Sequence, residues 1–322
     1  MLHLTDIHAA ADRIRDFVIR TPVLDFPELD EQLGARLFFK CENMQHGGAF
    51  KARGACNAVL SLTDEDAARG VVAHSSGNHA AAVARAAKLR GITARIVMPR
   101  NSRAIKIEAV RKLGVEPEFC EPDSASREAA AQKIIDATGA VPVHPFNDVN
   151  VIAGQGTASL ELLEQTSQLD VIVVPVGGGG LLSGTLIAVK SVRPDIRVIA
   201  AEPALADDAF RSLSSGQIQQ PTRYDTIADG LRTALGSITF PIIHEQVDEI
   251  LLASEDSILA ATRMLLNEAK LVVEPSGAVP LACVMQHPER FRNRRVGLII
   301  SGGNIDAAAC LEVSTEPARR RL

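Results

Sequence analysis

The residue with the clearest chemical potential is Lys51, which follows Gly47-Gly48-Ala49-Phe50 and precedes a run of small residues. The small residues predict a helix that begins near Lys51, and the glycines would let other groups approach its amine. The positive end of a helix disfavours a protonated amine. An amine that gives up its proton can attack a carbonyl group and form a Schiff base. The alternative is an ordinary solvated lysine, because most lysines lie on protein surfaces.

Four consecutive glycines at 177–180 follow an apolar run at 171–176. Residues without side chains let several backbone N–H groups point to one anion, and the helix expected near Leu181 adds positive potential. The run does not match the dinucleotide pattern G-x-G-x-x-G, and it lacks the lysine of a P-loop. The sequence therefore predicts a site for a single phosphate group, with a flexible turn as the alternative.

Two further polar turns follow apolar runs: Ser75-Ser76-Gly77-Asn78-His79 and Ser301-Gly302-Gly303-Asn304. In the first turn, Ser75 or Ser76 could simply cap the next helix. The functional interpretation is that exposed N–H groups there hold a carboxylate. Asn78 would then offer its amide to a second acceptor, and Ser76 would offer its hydroxyl to the reacting carbon.

The elements that must position these residues alternate between short β-branched runs and helical patterns. We expect strands at 37–41, 70–74, 94–98, 116–120, 141–144, 171–176, 197–201, 249–253 and 297–300. We expect helices at 79–89, 104–113, 126–138, 152–164, 181–192 and 256–269. This alternation predicts an α/β fold with mostly parallel sheet and flanking helices. Because ligands bind beyond the carboxyl ends of parallel strands, one sheet edge would carry all three strand-end turns.

The bulk composition limits the classes of protein to consider. The chain has 322 residues, 46% of them hydrophobic, which suggests two globular domains. Its net charge of −5 argues against nucleic acid or an anionic membrane as the main partner. The five cysteines are widely spaced and odd in number, which is typical of a cytoplasmic protein. We expect no secretory signal, because the N-terminus carries early acids and lacks a long apolar core. We expect no membrane helix, because the longest uncharged run contains a proline and four glycines.

Four ordered motifs, GGAFKARGA, SSGNHAAAVA, PVGGGGLLSG and SGGN, resemble those of the pyridoxal-phosphate enzymes of the tryptophan-synthase-β fold type, fold type II. Within that superfamily, the chain is similar to the threonine/serine dehydratase and serine racemase group over residues 19–304. The resemblance implies two domains, each a mostly parallel twisted sheet flanked by helices, with the cofactor in the cleft between them. The large cofactor-binding domain would comprise residues 1–69 and 148–322, and the small substrate-carboxylate domain residues 70–147.

The resemblance also implies roles for the cofactor-binding residues. Lys51 would hold pyridoxal 5'-phosphate as a Schiff base and later act as the base at the substrate's α-carbon. Phe50 would pack against the pyridine ring, Asn78 would bind its phenolic oxygen, and Ser301 would face its nitrogen. The phosphate would be bound by the backbone N–H groups of Gly177, Gly178, Gly179, Gly180 and Leu181.

Further implied roles concern the substrate carboxylate. Ser75, Ser76 and His79 would surround it. Arg127 matches a carboxylate-binding arginine of racemase-like members of the group. The alternative for Arg127 is a solvated helix residue.

A divalent-cation site is implied by Glu202, Ala206 and Asp208, whose spacing matches that of serine-racemase-like members. Two carboxylates and a backbone carbonyl would suit Mg²⁺ or Ca²⁺, which take oxygen ligands. The alternative is a pair of acidic residues at a helix N-terminus, where negative charge is favoured anyway.

The implied activity is that of an ammonia-lyase, a dehydratase that converts a small 3-hydroxy amino acid to a 2-oxo acid and ammonia by α,β-elimination. Serine, threonine, threo-3-hydroxyaspartate and phenylserine are the candidate substrates, and a homodimer is the expected assembly. Racemisation of serine or aspartate is the nearest alternative, with Lys51 and Ser76 as the two acid/base groups. More distant alternatives are β-replacement and a phosphate-binding regulatory protein that does no chemistry.

Overall fold

The computed structural model describes residues 2–75, 77–102, 104–306, 308 and 310, with residue 124 described by its backbone only. The strands are β1 (Val23–Leu24), β2 (Arg36–Cys41), β3 (Val71–His74), β4 (Ala94–Pro99), β5 (Glu118–Cys120), β6 (Val141–Pro142), β7 (Val171–Pro175), β8 (Arg197–Pro203), β9 (Glu249–Ala253) and β10 (Arg295–Ile300). The first helices are α1 (Leu4–Ile14), α2 (Pro27–Leu33), α3 (Lys51–Leu60), α4 (Asp64–Arg69), α5 (Asn78–Arg90), α6 (Ala104–Arg111) and α7 (Ser124–Thr138). They are followed by α8 (Val149–Gln165), α9 (Gly180–Val192), α10 (Asp208–Ser215), α11 (Thr239–Gln246), α12 (Glu255–Asn267), α13 (Pro275–Gln286) and α14 (Pro288–Phe291).

The strands form two sheets. The large sheet has the order β1-β2-β10-β7-β8-β9, and all its neighbouring strands are parallel except the pair β1 and β2. The small sheet has the order β5-β4-β3-β6 and is parallel throughout. Central strands such as β7 are buried along their whole length, which explains their continuous apolar sequence. The predicted α/β class, with mostly parallel sheets flanked by helices, is confirmed.

One expectation about the sheets is wrong. The three strand-end turns do not share one sheet edge, because β3 lies in the small sheet whereas β7 and β10 are neighbours in the large sheet. Hydrophobic alternation predicts strands but not which sheet each strand joins. The expected strand at 141–144 is also shorter than predicted and ends at Pro142, although the N–H of Val143 still donates to the carbonyl of Val72 at 2.9 Å. The proline is tolerated because β6 is an edge strand.

Helix α8 packs against both α3, which carries Lys51, and α9, which begins at the last of the four glycines. A Cβ atom added to Gly154 of α8 would lie 2.6 Å from the Cα of Gly54 in α3. A Cβ atom added to Gly156 would lie 2.8 Å from the carbonyl oxygen of Gly184 in α9. The three helices therefore touch backbone to backbone. Because α3 begins at Lys51 and α9 begins at the four glycines, α8 sets their relative position.

A buried cluster of four charged side chains lies behind α3, made of Lys40, Glu42, Arg53 and Glu161. Arg53 donates to both carboxylate oxygens of Glu42, at 2.7 and 2.8 Å, and to both of Glu161, at 2.7 and 2.8 Å. Lys40 also donates to Glu161, at 2.5 Å. Two positive and two negative charges thus compensate one another, as burial requires.

The charge cluster fixes the loop that carries Lys51. Burial by itself would raise the pKa of Glu42, but the Arg53 guanidinium outweighs it and holds that pKa below its ordinary value. Glu42 directly follows β2, and Arg53 lies in the first turn of α3. Their ion pair therefore closes the connection between β2 and α3.

In the part of the chain that the structure describes, we find no helix with the length and apolar character needed to span a bilayer.

Candidate active site

The turn that carries Lys51 is joined directly to the turn after β10. Ala49 and Gly302 form an antiparallel bridge, and the N–H of Phe50 donates to the carbonyl of Ser301 at 3.0 Å. The side-chain amide of Asn304 donates to the carbonyl of Gly47 at 2.7 Å. Backbone pairing thus places Ser301, which is buried, beside Phe50 and Lys51.

Asn78, the first residue of α5 after the turn that follows β3, also contacts the turn after β10. Its amide nitrogen donates to Glu274 Oε1 at 2.8 Å, and its amide oxygen accepts from Asn304 Nδ2 at 2.9 Å. These two bonds fix the orientation of the amide. Since an amide nitrogen carries two N–H groups, one remains for an acceptor in the cleft. The turn after β3 and the turn after β10 therefore meet, although the two strands lie in different sheets.

The segment after β6 links Lys51 to the glycine loop, by which we mean residues 177–180. The Lys51 amine donates to the carbonyl of Pro145 at 2.7 Å. The next residue, Phe146, packs against the glycine loop so closely that a Cβ atom on Gly178 would lie 2.2 Å from its ring. Pro145 and Phe146 thus connect the Lys51 amine to the glycine loop.

The glycine loop presents a set of buried donors. The backbone N–H groups of Gly177, Gly178, Gly179, Gly180 and Leu181 are buried, and none donates a hydrogen bond to another described residue. Buried N–H groups in native proteins are nearly always paired, so this set requires acceptors from a ligand. The start of α9 adds the positive potential of a helix N-terminus. A phosphate group supplies the needed acceptors and the matching charge, and the loop fits the phosphate of the expected cofactor.

Burial keeps the imidazoles near Lys51 uncharged and makes the Lys51 amine easier to deprotonate. Burial lowers the pKa of Lys51 to about 8, and among the described residues the amine forms no ion pair. Burial, and to a smaller extent the charge of Lys51, lowers the pKa of His79 to about 3. Burial followed by the charges of His74 and Lys51 lowers the pKa of His144 to about 4. The site therefore combines a readily deprotonated amine with neutral imidazoles.

The residues expected around a substrate carboxylate are placed less uniformly. Ser75 follows β3 and accepts a hydrogen bond from the N–H of Gly77 at 3.2 Å. The ring of His79 is buried and bonded to the carbonyl of Val143 at 2.8 Å, so it supports the turn from behind. Arg127 lies in the first turn of α7. Burial, and to a smaller extent the charge of Arg127, lowers the pKa of His74 at the end of β3. Ser76 lies outside the described residues, so its predicted role stays a prediction.

Glu202 and Asp208 come together at the start of α10. The carboxylate of Glu202 accepts from the backbone N–H groups of Ala209 and Phe210 at 2.7 and 2.8 Å, as an acid at a helix N-terminus would. Both carboxylate oxygens of Asp208, however, are buried and have no hydrogen-bond partner among the described residues. Burial raises the pKa of Asp208 to about 7. An unpartnered buried carboxylate next to a second one fits a cation, and the predicted third ligand is the carbonyl of Ala206.

Sequence reasoning missed two groups of this site. Glu274 orients Asn78, and the carbonyl of Pro145 accepts from Lys51. A signal for Glu274 was available, because it is a lone acid in an otherwise apolar run, LVVEPSGAV. No sequence signal identifies a backbone carbonyl as the partner of a particular amine.

We expect Gly178→Ala to abolish retention of pyridoxal phosphate. The added methyl group would collide with the Phe146 ring, so the loop must move and its N–H groups lose their common direction. The measurement is cofactor content after gel filtration, by absorbance. Gly114→Ala is the control for backbone strain away from the site, because its φ of +87° disfavours alanine while a Cβ atom there meets nothing within 4 Å. Equal cofactor content in both variants would contradict the assignment.

The lowered pKa of Lys51 predicts the pH dependence of cofactor attachment. Only the deprotonated amine attacks a carbonyl, and its pKa is about 8 rather than 10.5. The rate at which apoprotein attaches pyridoxal phosphate should therefore rise with pH, with a midpoint near 8, and level off above it. Borohydride fixation and peptide mass analysis at each pH would measure this, with the exposed Lys133 as internal reference. A rate that keeps rising steeply beyond pH 10 would contradict it, since that is the course expected of an ordinary lysine.

Comparisons with known proteins agree with this geometry. A family model described as "Pyridoxal-phosphate dependent enzyme" matches residues 14–302. The chain is 48% identical over 310 residues to a serine racemase of Arabidopsis thaliana, covering 94% of this chain and 93% of the relative. It is also 48% identical over 301 residues to a beta-hydroxyaspartate dehydratase of Paracoccus denitrificans, covering 94% and 96%. The crystal structure of a serine racemase from Dictyostelium discoideum aligns with a TM-score of 0.90 at 46% identity, covering 95% of this chain and 99% of that one.

Proposed function

Because the chain belongs to the family of pyridoxal-phosphate dependent enzymes, we propose that it is an ammonia-lyase that dehydrates a small 3-hydroxy amino acid to a 2-oxo acid and ammonia. The predicted cofactor, pyridoxal phosphate, and the predicted fold type are confirmed by the family match. The dehydratase similarity to the Paracoccus relative supports the choice of reaction.

The observation that carries the proposal is the position of Lys51. Its amine has a pKa of about 8 and donates to the carbonyl of Pro145, whose neighbour Phe146 packs on the glycine loop. The turn that carries Lys51 is joined through Asn304 to the oriented amide of Asn78. A purely regulatory phosphate-binding protein would need the glycine loop but no buried amine of this kind. The combination favours a reactive amine that works beside a bound phosphate.

In the proposed mechanism, pyridoxal phosphate, when bound, acts as an electron sink for the charge left on the substrate's α-carbon. Lys51 would hold the cofactor and then, as a free amine, would take the α-proton. Asn78 would donate to the oxygen on the cofactor ring, and the glycine loop with Leu181 would bind the phosphate. Ser301 would lie toward the ring nitrogen, where its hydroxyl would supply no counter-charge. Phe50 would pack against the ring.

Substrate recognition is assigned to the small sheet. The turn after β3, with Ser75 and Ser76, would hold the substrate carboxylate together with Arg127, and His79 would support that turn from behind. We accordingly propose residues 70–147 as the substrate domain and residues 1–69 with 148–322 as the cofactor domain. The small sheet and helices α5, α6 and α7 fall within the first of these ranges, which supports the division.

A divalent cation, Mg²⁺ or Ca²⁺, is proposed to bind Glu202, Asp208 and the carbonyl of Ala206. We expect either ion to raise the thermal midpoint of the protein, since a ligand that binds only the folded state stabilises it. Asp208→Asn should remove this rise, because it takes away a charged ligand. Asp207→Asn is the matched control, as Asp207 pairs with Arg211 instead. An equal rise in the two variants would argue against the site.

Racemisation of serine or aspartate is the second candidate, supported by the similarity to serine racemases. It needs a second acid/base on the face of the α-carbon opposite Lys51, and Ser76 is the proposed group. Ser76→Ala should then abolish racemisation and spare much of the dehydration of the L-isomer. Equal loss of both activities would count against this role.

The deciding experiment is incubation of the cofactor-loaded protein with L-serine, L-threonine, L-threo-3-hydroxyaspartate and L-threo-phenylserine. The products to measure are the 2-oxo acid and, by chiral chromatography, the D-isomer. Oxo acid from one substrate far above the others would support a dehydratase and identify its substrate. D-isomer formed faster than oxo acid would favour the racemase, and neither product from any substrate would refute both.

We propose a homodimer, on the basis of the resemblance to dimeric members of the group, which light scattering would test. We propose a cytoplasmic location because the five cysteines are all free, as in a reducing compartment.

A further inference from the structure

An ion pair connects helix α6, on the small-sheet side, to the segment that begins at Asp229, on the large-sheet side. The ammonium of Lys106, in α6, lies 2.8 Å from Asp229 Oδ2. The two side chains are only 12% and 22% exposed. A shielded pair of this kind is screened less by salt than a surface pair, and its loss has a larger effect.

Asp229 is anchored to the large sheet beside the glycine loop. It begins a short 3-10 helix, Asp229–Leu231, in the TIADGL segment. The N–H of Gly230 donates to Ser276 of α13 at 2.9 Å. Leu231 packs so closely on the glycine loop that a Cβ atom on Gly177 would lie 2.9 Å from its Cα. The carboxylate of Asp229 is therefore fixed relative to the phosphate site.

Lys106, in α6, lies beside Gly77 in the turn that leads into α5. A Cβ atom on Gly77 would lie 3.3 Å from the Lys106 ammonium and 3.6 Å from its Cδ. Gly77 immediately precedes Asn78, whose amide enters the site. The lysine thus touches the turn on one side and Asp229 on the other.

We propose that Lys106 is a positioning residue: paired with Asp229, it holds the turn at residues 77–79 against the glycine-loop side of the cleft. This inference rests on the proposed function only through the substrate used to test it. Without the pair, the turn spends a smaller fraction of its time in the arrangement that binds substrate. The apparent affinity for substrate falls in proportion to that fraction. Bound substrate restores the arrangement, so the chemical step itself is unchanged.

The test compares the holoenzyme with its Lys106→Met, Asp229→Asn and double variants, using L-serine and L-threo-3-hydroxyaspartate. We expect each single variant to raise KM about tenfold and to leave kcat within about twofold, the signature of lost binding organisation. The KM of the double variant should be no higher than that of either single variant, because the two residues act through one contact. Lys106→Arg should restore KM to within about twofold, since it keeps the charge.

Two matched controls separate positioning from general effects. Lys112→Met removes an exposed lysine just beyond α6, and Asp225→Asn breaks an exposed pair near Asp229. Neither should change KM. An unchanged KM in Lys106→Met, or a fall in kcat at constant KM, would overturn the proposal and leave the pair a purely structural contact.

A second measurement does not depend on turnover. Hydrogen exchange of peptides covering residues 77–90 and 104–111 should be about tenfold faster in Lys106→Met holoprotein than in the parent, and unchanged in Lys112→Met. Equal exchange in the parent and Lys106→Met would overturn the proposal. If neither amino acid is consumed by the parent protein, the proposed function fails for these substrates, while the exchange result still decides the role of Lys106.

Discussion

Lys51→Ala is expected to lose activity by about 10⁴-fold or more, because it removes both the group that attaches the cofactor and the base that takes the α-proton. The folded state should survive, since the only hydrogen bond that the side chain makes within the described residues is to Pro145. Initial rates of 2-oxo acid formation would measure the loss, and circular dichroism would verify the fold.

Two companion variants sharpen this expectation. Lys51→Arg keeps a positive charge but cannot deprotonate, so it should be as inactive as alanine. Lys133→Ala removes an exposed lysine of α7 and should leave activity unchanged. Substantial activity in Lys51→Arg would show that a free amine is not required, and the proposed mechanism would then fail.

The second large effect is on stability. Arg53→Met should lower the free energy of unfolding by about 3–5 kcal/mol, because it leaves the carboxylates of Glu42 and Glu161 buried without their main partner. Urea unfolding followed by fluorescence of an added dye or by circular dichroism would measure it. Arg15→Met breaks an exposed pair with Asp12 and should change stability little.

A double variant tests the cause of that loss. Combining Arg53→Met with Glu42→Leu removes a positive and a negative charge together, so part of the stability should return. If the double variant is less stable by the full sum of the two single losses, the ion pair is not the source of the effect.

The local elements of the fold were largely predictable from sequence. The strand expected at 249–253 has those bounds in β9, and the helix expected after the glycines runs over Gly180–Val192. Lys51 occupies the first position of α3, as the small residues after it predicted. Helix α13 was not expected, because Pro280 lies inside it and its apolar sequence shows no helical period.

The long-range features were less accessible. The buried pair of Arg53 and Glu161 joins residues far apart in the chain, and nothing in a charge pattern says that these two charges meet. The approach of Asn78 to Asn304 likewise depends on how two sheets face one another. The four motifs identified the family, whereas Glu274 and the Lys106–Asp229 pair emerged only from three-dimensional contacts.

The glycine contacts of α8 have a consequence for protein engineering. Because Gly54 touches Gly154 and Gly156 touches Gly184, the spacing between the lysine and the phosphate loop is set by backbone thickness rather than by side chains. A library of variants that leaves α3, α8 and α9 unchanged should therefore keep the distance between the Lys51 amine and the phosphate loop. Diversity belongs instead at positions outside these helices and outside the cofactor contacts, such as Ser75 and Arg127, where new substrates could be selected without changing the distance between amine and phosphate.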